Sequence, residues 1–172
     1  MSVPERGREM SETHDHDVCV GTALAHAEEA ALESGRPLEG LRLDVLRELL
    51  REHSPRGAYE LRDALVSEER KLQPVQVYRA LDALARMRLV HRVESRNAYI
   101  ACTGGPACEA PQLLICEACD GVTELGDEAL RAVLDVVVQR TGFTVHRSLV
   151  EISGLCPACA ARGEASEASN PS

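Results

Sequence analysis

A chain of 172 residues, 44% of them hydrophobic, suffices for one ordinary core or two small ones; with one Phe, three Tyr and no Trp, that core must be aliphatic. The net charge of −9 argues against a nucleic-acid partner only if it is spread evenly, and it is not: residues 1–35 carry −6, residues 36–100 carry +3 and residues 101–172 carry −6. No apolar run approaches the roughly 18 residues of a membrane helix, and the charged opening MSVPERGREM lacks the apolar stretch of a signal peptide, so the expected compartment is the cytoplasm with no membrane partner.

Residues 1–20 are polar, with His14, Asp15, His16, Asp17 and Cys19 close together, and read as a disordered tail. Helical periodicity starts near Gly21, placing Leu24, Ala27, Ala31 and Leu32 on one face, and SGRP at Ser34 to Pro37 breaks it. LRLDVLRELLREH repeats Leu41, Val45, Leu46, Leu49 and Leu50 at helical spacing and turns Arg42, Arg47 and Arg51 outward. After the SPRG turn, AYELRDALVSEE predicts a second short helix. Pro74 opens a third, PVQVYRALDALARMRL, where proline is tolerated at a helix start, with Val77, Leu81, Leu84 and Leu89 as its stripe.

From Val90 the period switches to two, predicting two strands around a turn at Ser95 to Asn97. Three helices followed by a hairpin is the order of a winged helix-turn-helix, whose third helix enters the major groove while the hairpin lies against the backbone. Twelve of the thirteen cations in residues 36–100 are arginines, the side chain best suited to phosphates and guanine edges.

The chain then changes character. TGGPACEAP is a loop, QLLIC and GVTEL are short strands around a CxxC pair, Asp127 to Gln139 is an amphipathic helix, and FTVHRSLVEISGL is a long strand leading to a second CxxC. The tail ARGEASEASNPS is low in complexity. The expected fold class is α+β: a disordered tail at 1–20, a winged-helix domain at 21–102 with a hinge at about 102–111, an α/β dimerisation and zinc-binding domain at 112–160, and a disordered tail at 161–172.

Of seven cysteines, Cys116 with Cys119 and Cys156 with Cys159 form the CxxC pairs. In a reducing compartment such pairs point to metal or redox chemistry, and four thiolates in two knuckles suit tetrahedral zinc. A thioredoxin-like dithiol would use one such motif in a βαβ frame, which the chain does not show. A zinc bound there is structural, so a responsive site must be sought elsewhere, among His91, Cys102, Cys108 and Glu124. Mixed ligands from both halves would put a metal at the domain junction. Taken singly, each has an ordinary reading: a strand-surface histidine, two small buried thiols and a solvated carboxylate. The odd Cys19 reads as a free thiol.

PVQVYRALDALARMRLVHRVESRNAYIAC resembles the recognition helix and wing of the ferric uptake regulator superfamily, and LLICEACDGVTEL with GLCPAC resembles its zinc knuckles. HRVES, and a Cys directly after the wing, look most like the zinc uptake regulator branch. The resemblance covers roughly residues 20 to 160 and implies a homodimeric, metal-dependent repressor. It matches Cys116, Cys119, Cys156 and Cys159 to a structural zinc site, and His91, Cys102 and Glu124 to three ligands of a zinc-sensing site, two ions per subunit in all. The fourth sensing ligand of that branch is a histidine in the loop before LLIC; none stands there in this chain, and Cys108 replaces it, with Glu109 the runner-up. The histidine-rich stretch of iron- and peroxide-sensing members is replaced by TGGPACEAP, which leaves His146 an ordinary strand residue. For DNA, the resemblance points to Tyr59, Tyr78 and Arg79, with Gln76 standing where the family commonly has Thr; Arg42 and Arg56 would serve phosphates, and Tyr78 has packing as its alternative.

The function expected is a zinc-responsive repressor that binds a palindromic double-stranded operator and represses zinc-uptake genes, with no organic cofactor and no enzymatic activity. The alternatives are an iron- or peroxide-sensing repressor of the same family, a zinc-buffering protein, or a thiol oxidoreductase.

Overall fold

The computed structural model describes residues 16–51, 54–102, 111–146 and 148–163, with side chains from Val20 onward. Helix α1 (His16–Glu33) begins five residues before the periodicity that predicts it, so the expected tail gives way to helix at His16. Its packing strip is narrow: Ala27 and Ala31 are buried, whereas Leu32, expected on the same face, is 82% exposed.

Helices α2 (Leu41–Arg51), α3 (Ala58–Leu65) and α4 (Pro74–Arg86) follow, and their apolar stripes close one aliphatic core. Val45, Leu49, Leu61, Val77, Leu81 and Leu84 are each at most 1% exposed within it. Pro74 sits in the first turn of α4, and the backbone N–H of Gln73 donates to Gln76 Oε1 at 2.8 Å, satisfying one of the amides a helix start leaves open. The helix stops at Met87, after which Arg88 takes a left-handed φ of 59°.

Strands β1 (Val90–Val93) and β2 (Ala98–Ala101) pair antiparallel, Val90 opposite Ala101 and Val93 opposite Ala98. The turn between them is a 3₁₀ turn, Glu94–Arg96, closed by Asn97 at φ 48°, a conformation asparagine tolerates better than most side chains. Arg56, before α3, exchanges two backbone hydrogen bonds with Tyr99, each 2.9 Å, and ties this wing to the helices.

Strands β3 (Gln112–Cys116), β4 (Val122–Leu125) and β5 (Val150–Gly154) form a second sheet in the order β4-β3-β5. β4 is antiparallel and β5 parallel to the central β3. The return from β4 to β5 is made through α5 (Glu128–Thr141), capped by Asp127, whose side chain accepts from the Leu130 N–H at 2.8 Å, and ended by Gly142 at φ 65°. The strand expected from Phe143 is shorter than its sequence pattern. β3 offers a register only from Gln112 opposite Val150 to Cys116 opposite Gly154, so strand pairing starts at Val150. His146 consequently lies exposed in a bend and not on a strand. A short helix α6 (Pro157–Ala161), which the sequence pattern did not announce, carries the second knuckle.

The wing does not stand free. Val93 and Ile100 from its hairpin are buried together with Leu113 and Ile115 of β3, with Val122 and Leu149 packed at the edge. This small second core joins the helical unit to the sheet unit. Leu81→Ala, at a fully buried position of the main core, is expected to cost about 2–5 kcal/mol of unfolding free energy, read as a lowered urea midpoint.

Candidate metal centres

The four-cysteine cluster is a product of strand register. Parallel pairing puts Cys116 at the end of β3 opposite Gly154 at the end of β5, and the backbone N–H of Glu117 donates to the Gly154 carbonyl at 2.8 Å. Cys156 and Cys159 then enter beside Cys116 and Cys119, and the four sulfurs lie within 4.8 Å of one another. Cys119 and Cys156 Sγ are 4.0 Å apart, close to the edge of about 3.8 Å that a tetrahedron with 2.3 Å zinc–sulfur bonds has. Cys159 is fully buried and Cys116 nearly so.

The surroundings favour thiolate. The Cys156 N–H donates to Cys116 Sγ at 3.3 Å and the Arg162 guanidinium to Cys159 Sγ at 2.9 Å. Backbone N–H groups of Cys156, Cys119 and Ala118 aimed at Cys116 bring its pKa down to about 6, against a smaller opposing effect of burial. Donor set, spacing and charge therefore fit a closed structural zinc site.

A second cluster forms where the two units meet. His91 is the second residue of β1, Cys102 follows β2 and donates its N–H to the Leu89 carbonyl at 2.9 Å, and Glu124 lies on β4. His91 Nε2 is 3.2 Å from Glu124 Oε1, and Cys102 Sγ is 3.8 Å from the same oxygen. All three ligand atoms lie within 4.8 Å of one another. The side chains of His91 and Glu124 are only 8% exposed. Burial alone would lower the pKa of His91, but its hydrogen bonds to Cys102 and Glu124, and their charges, outweigh that and raise it to about 9. A pocket that holds imidazolium against burial is one whose negative field suits a cation, and imidazole, thiolate and carboxylate together fit zinc. His91 and Glu124 are therefore buried, not the surface histidine and solvated carboxylate of their ordinary readings, whereas Cys102 is the buried thiol that its ordinary reading expected. Cys108 and Glu109, expected to supply the fourth ligand, lie outside the described residues, as do His14 and the side chain of Cys19.

The expected DNA-facing residues divide. Gln76 and Arg79 are exposed on α4, and Tyr59 is 57% exposed at the start of α3 with the Arg62 guanidinium 5.4 Å from its ring centroid. Tyr78 is half-buried against the main core, and Arg42 is half-buried on α2. Arg56, expected to serve phosphate, is half-buried, and its guanidinium pairs with Glu48 at 2.5 Å. Glu48 is 8% exposed on α2, where burial would raise its pKa, and Arg51 and Arg56 hold it below the ordinary value. Removing the Arg56 charge would leave the Glu48 carboxylate, the more buried of the two, with Arg51 as its one remaining cation among these three. Nothing in the local sequence marks Glu48 as inward, beyond its falling within the stripe of Val45, Leu46, Leu49 and Leu50.

The family model for the ferric uptake regulator family matches residues 38–153. The chain is 34% identical over 137 residues to the zinc uptake regulation protein of Escherichia coli strain K12, covering 79% of this chain and 80% of that one. Among solved structures, a zinc uptake regulator complexed with zinc and DNA is 32% identical, with a TM-score of 0.76 over 85% of this chain and 98% of that chain. Holo XcZur is 34% identical, with a TM-score of 0.73 over 83% of this chain and 99% of that chain.

The two clusters separate by mutation. Cys116→Ser is expected to abolish metal at the four-cysteine centre and unfold the sheet unit, whereas His91→Ala keeps that ion and the fold while losing the second. Native mass spectrometry of each variant, beside circular dichroism, reads both outcomes.

Proposed function

Since the chain belongs to the ferric uptake regulator family, we propose that it is a zinc-responsive transcriptional repressor: a homodimer that binds a palindromic operator when its junction site is filled, and silences zinc-uptake genes in the cytoplasm. It is a regulator and not an enzyme, in keeping with its relative, the E. coli zinc uptake regulation protein. The observation that carries the reading is the meeting of His91, Cys102 and Glu124, drawn from the wing and from the sheet, with ligand atoms within 4.8 Å.

The Cys116, Cys119, Cys156 and Cys159 thiolates hold the permanent ion of two per subunit. At the second site, His91, Cys102 and Glu124 would hold a zinc ion that joins all three groups at once, where a proton joins them only in pairs. His91 and Cys102 anchor the base of the wing, Glu124 anchors β4, and Cys108 (or Glu109) closes the set. Together they fix the angle between the helical unit and the sheet unit, which sets the separation of two recognition helices in a dimer.

Dimerisation is supported by the apolar face left open on the sheet unit. Val133, Val136 and Val137 of α5, with Phe143, Val145 and Ile152, are between 42% and 72% exposed, a patch that a second copy would bury. On DNA, Arg79 is the candidate for a guanine edge, Gln76 and Tyr78 of the same helix and Tyr59 of α3 are candidates for further base or phosphate contacts, and Arg42 would serve phosphate. No helix among the described residues is long and apolar enough to cross a membrane.

The test is fluorescence anisotropy of a palindromic duplex, recovered by selection from genomic fragments, titrated at buffered free zinc. Affinity rising steeply with zinc but not with equal free iron(II) supports the reading; zinc-indifferent binding removes it, and a response to iron(II) alone reassigns the sensor. Under saturating zinc, Arg79→Ala is expected to weaken binding by about 1–3 kcal/mol without lowering the melting temperature.

A further inference from the structure

One contact between wing and sheet is made by none of the residues assigned so far. Glu151 Oε1 accepts from the backbone N–H of Glu94 at 2.6 Å, and Glu151 Oε2 from the N–H of Ser95 at 3.0 Å. Each oxygen of one carboxylate thus takes one of two consecutive amides, at the start of the turn that forms the tip of the wing. The Ser95 hydroxyl adds a third bond, and together these donors hold the carboxyl below its ordinary pKa although burial acts the other way. Beside it, Arg96 Nη1 pairs with Asp120 Oδ1 of the first knuckle at 3.0 Å. The partners of Glu151 lie 57 and 56 residues away in the chain, so this is a tertiary grip and not a local cap.

Sheet register shows what the grip does. Leu113 of β3 is paired with Glu124 on one side and Glu151 on the other, so the three form one row across the sheet and point from the same face. That face is the one packed under the wing: Leu113 is buried with Val93 and Ile100. Glu124 meets His91 and Cys102 at the base of the hairpin, and Glu151 meets its tip. The span across two strand spacings is about 10 Å, and the run from His91 to Glu94 along a strand is also about 10 Å. The hairpin therefore lies across the row and is held at both ends. A rod held at one end pivots; one held at two has a fixed direction.

We propose that Glu151 is a positioning residue for DNA binding: its carboxylate grips the tip of the wing and, together with the metal site at the base, fixes the direction in which the DNA-binding unit is presented. The inference rests on the zinc-responsive reading above. Glu151 belongs to neither candidate metal cluster; it acts through the wing backbone. Without it, the tip would be held only by the exposed Arg96–Asp120 pair and the packing of Val93 and Ile100, its direction would be less sharply fixed, and the gain of DNA affinity on zinc binding would shrink.

The test compares full-length parent, Glu151→Gln and Glu151→Ala, with Glu128→Gln, an exposed carboxylate on α5, as control. Two readouts are taken: amide hydrogen exchange at Glu94 and Ser95, and the ratio of affinities for the selected palindromic duplex at high and low buffered zinc. The expected result is faster exchange at both amides and a roughly fivefold to tenfold smaller affinity ratio for Glu151→Ala, with Glu151→Gln between it and the parent because it keeps one acceptor oxygen. Unchanged exchange overturns the grip. Faster exchange with an unchanged ratio also overturns the proposal, leaving a contact that merely stiffens a loop. A parent whose affinity ignores zinc removes the functional reading instead, and Glu151 is then judged by exchange together with duplex affinity at one fixed zinc level, where an unaltered affinity overturns it.

Discussion

The parallel pairing of β3 with β5 is the constraint on which the rest depends. Five residues of each strand meet, and the pair ends with Cys116 opposite Gly154. A ladder that short, on a three-stranded sheet whose helix α5 buries no residue of its own, has little apolar area to hold it. A metal held by Cys116, Cys119, Cys156 and Cys159, which converge at the strand ends, would close it. The same register sets Glu124 and Glu151 on either flank of Leu113, so one alignment builds both the permanent centre and the face that meets the wing.

On that face, charge is managed with economy. His91 and Glu124 are buried at the junction, and a neutral, unpaired version of either would be costly. Hydrogen bonds to Cys102 and Glu124, and their charges, outweigh burial and raise the pKa of His91, so the junction favours positive charge. Glu48 solves a similar problem inside the helical unit by drawing in Arg51 and Arg56.

The apolar residues of α5 and the segment around Phe143 tell the opposite story, since they are left in water by the single chain. A sheet with one face under the wing and a helix with valines outward is half of an assembly. If a second copy covers that face, whatever fixes the wing against the sheet would fix it against the second copy as well.

Much of this was legible in the order of residues. Period and breakers placed α2 to α5 and both hairpin strands, because amphipathic stripes and turn residues act locally; CxxC spacing pointed to the zinc centre because two thiolates on one tight turn have few other uses in a reducing compartment. His91, Cys102, Cys108 and Glu124 were legible as candidates for one mixed site at the domain junction, but no short motif defines it, and the family resemblance was needed to match His91, Cys102 and Glu124 to a sensing site. What only the tertiary structure decided concerns groups whose meaning depends on a partner far along the chain. The length of β5 was set by what β3 offers, the inward turn of Arg56 by a buried carboxylate on another helix, and the role of Glu151 by a register in which it shares a row with Glu124. Periodicity says which face of an element is apolar, but not which backbone that face will meet, and a lone Glu in a strand looks solvated until the amides it caps arrive from 57 residues away.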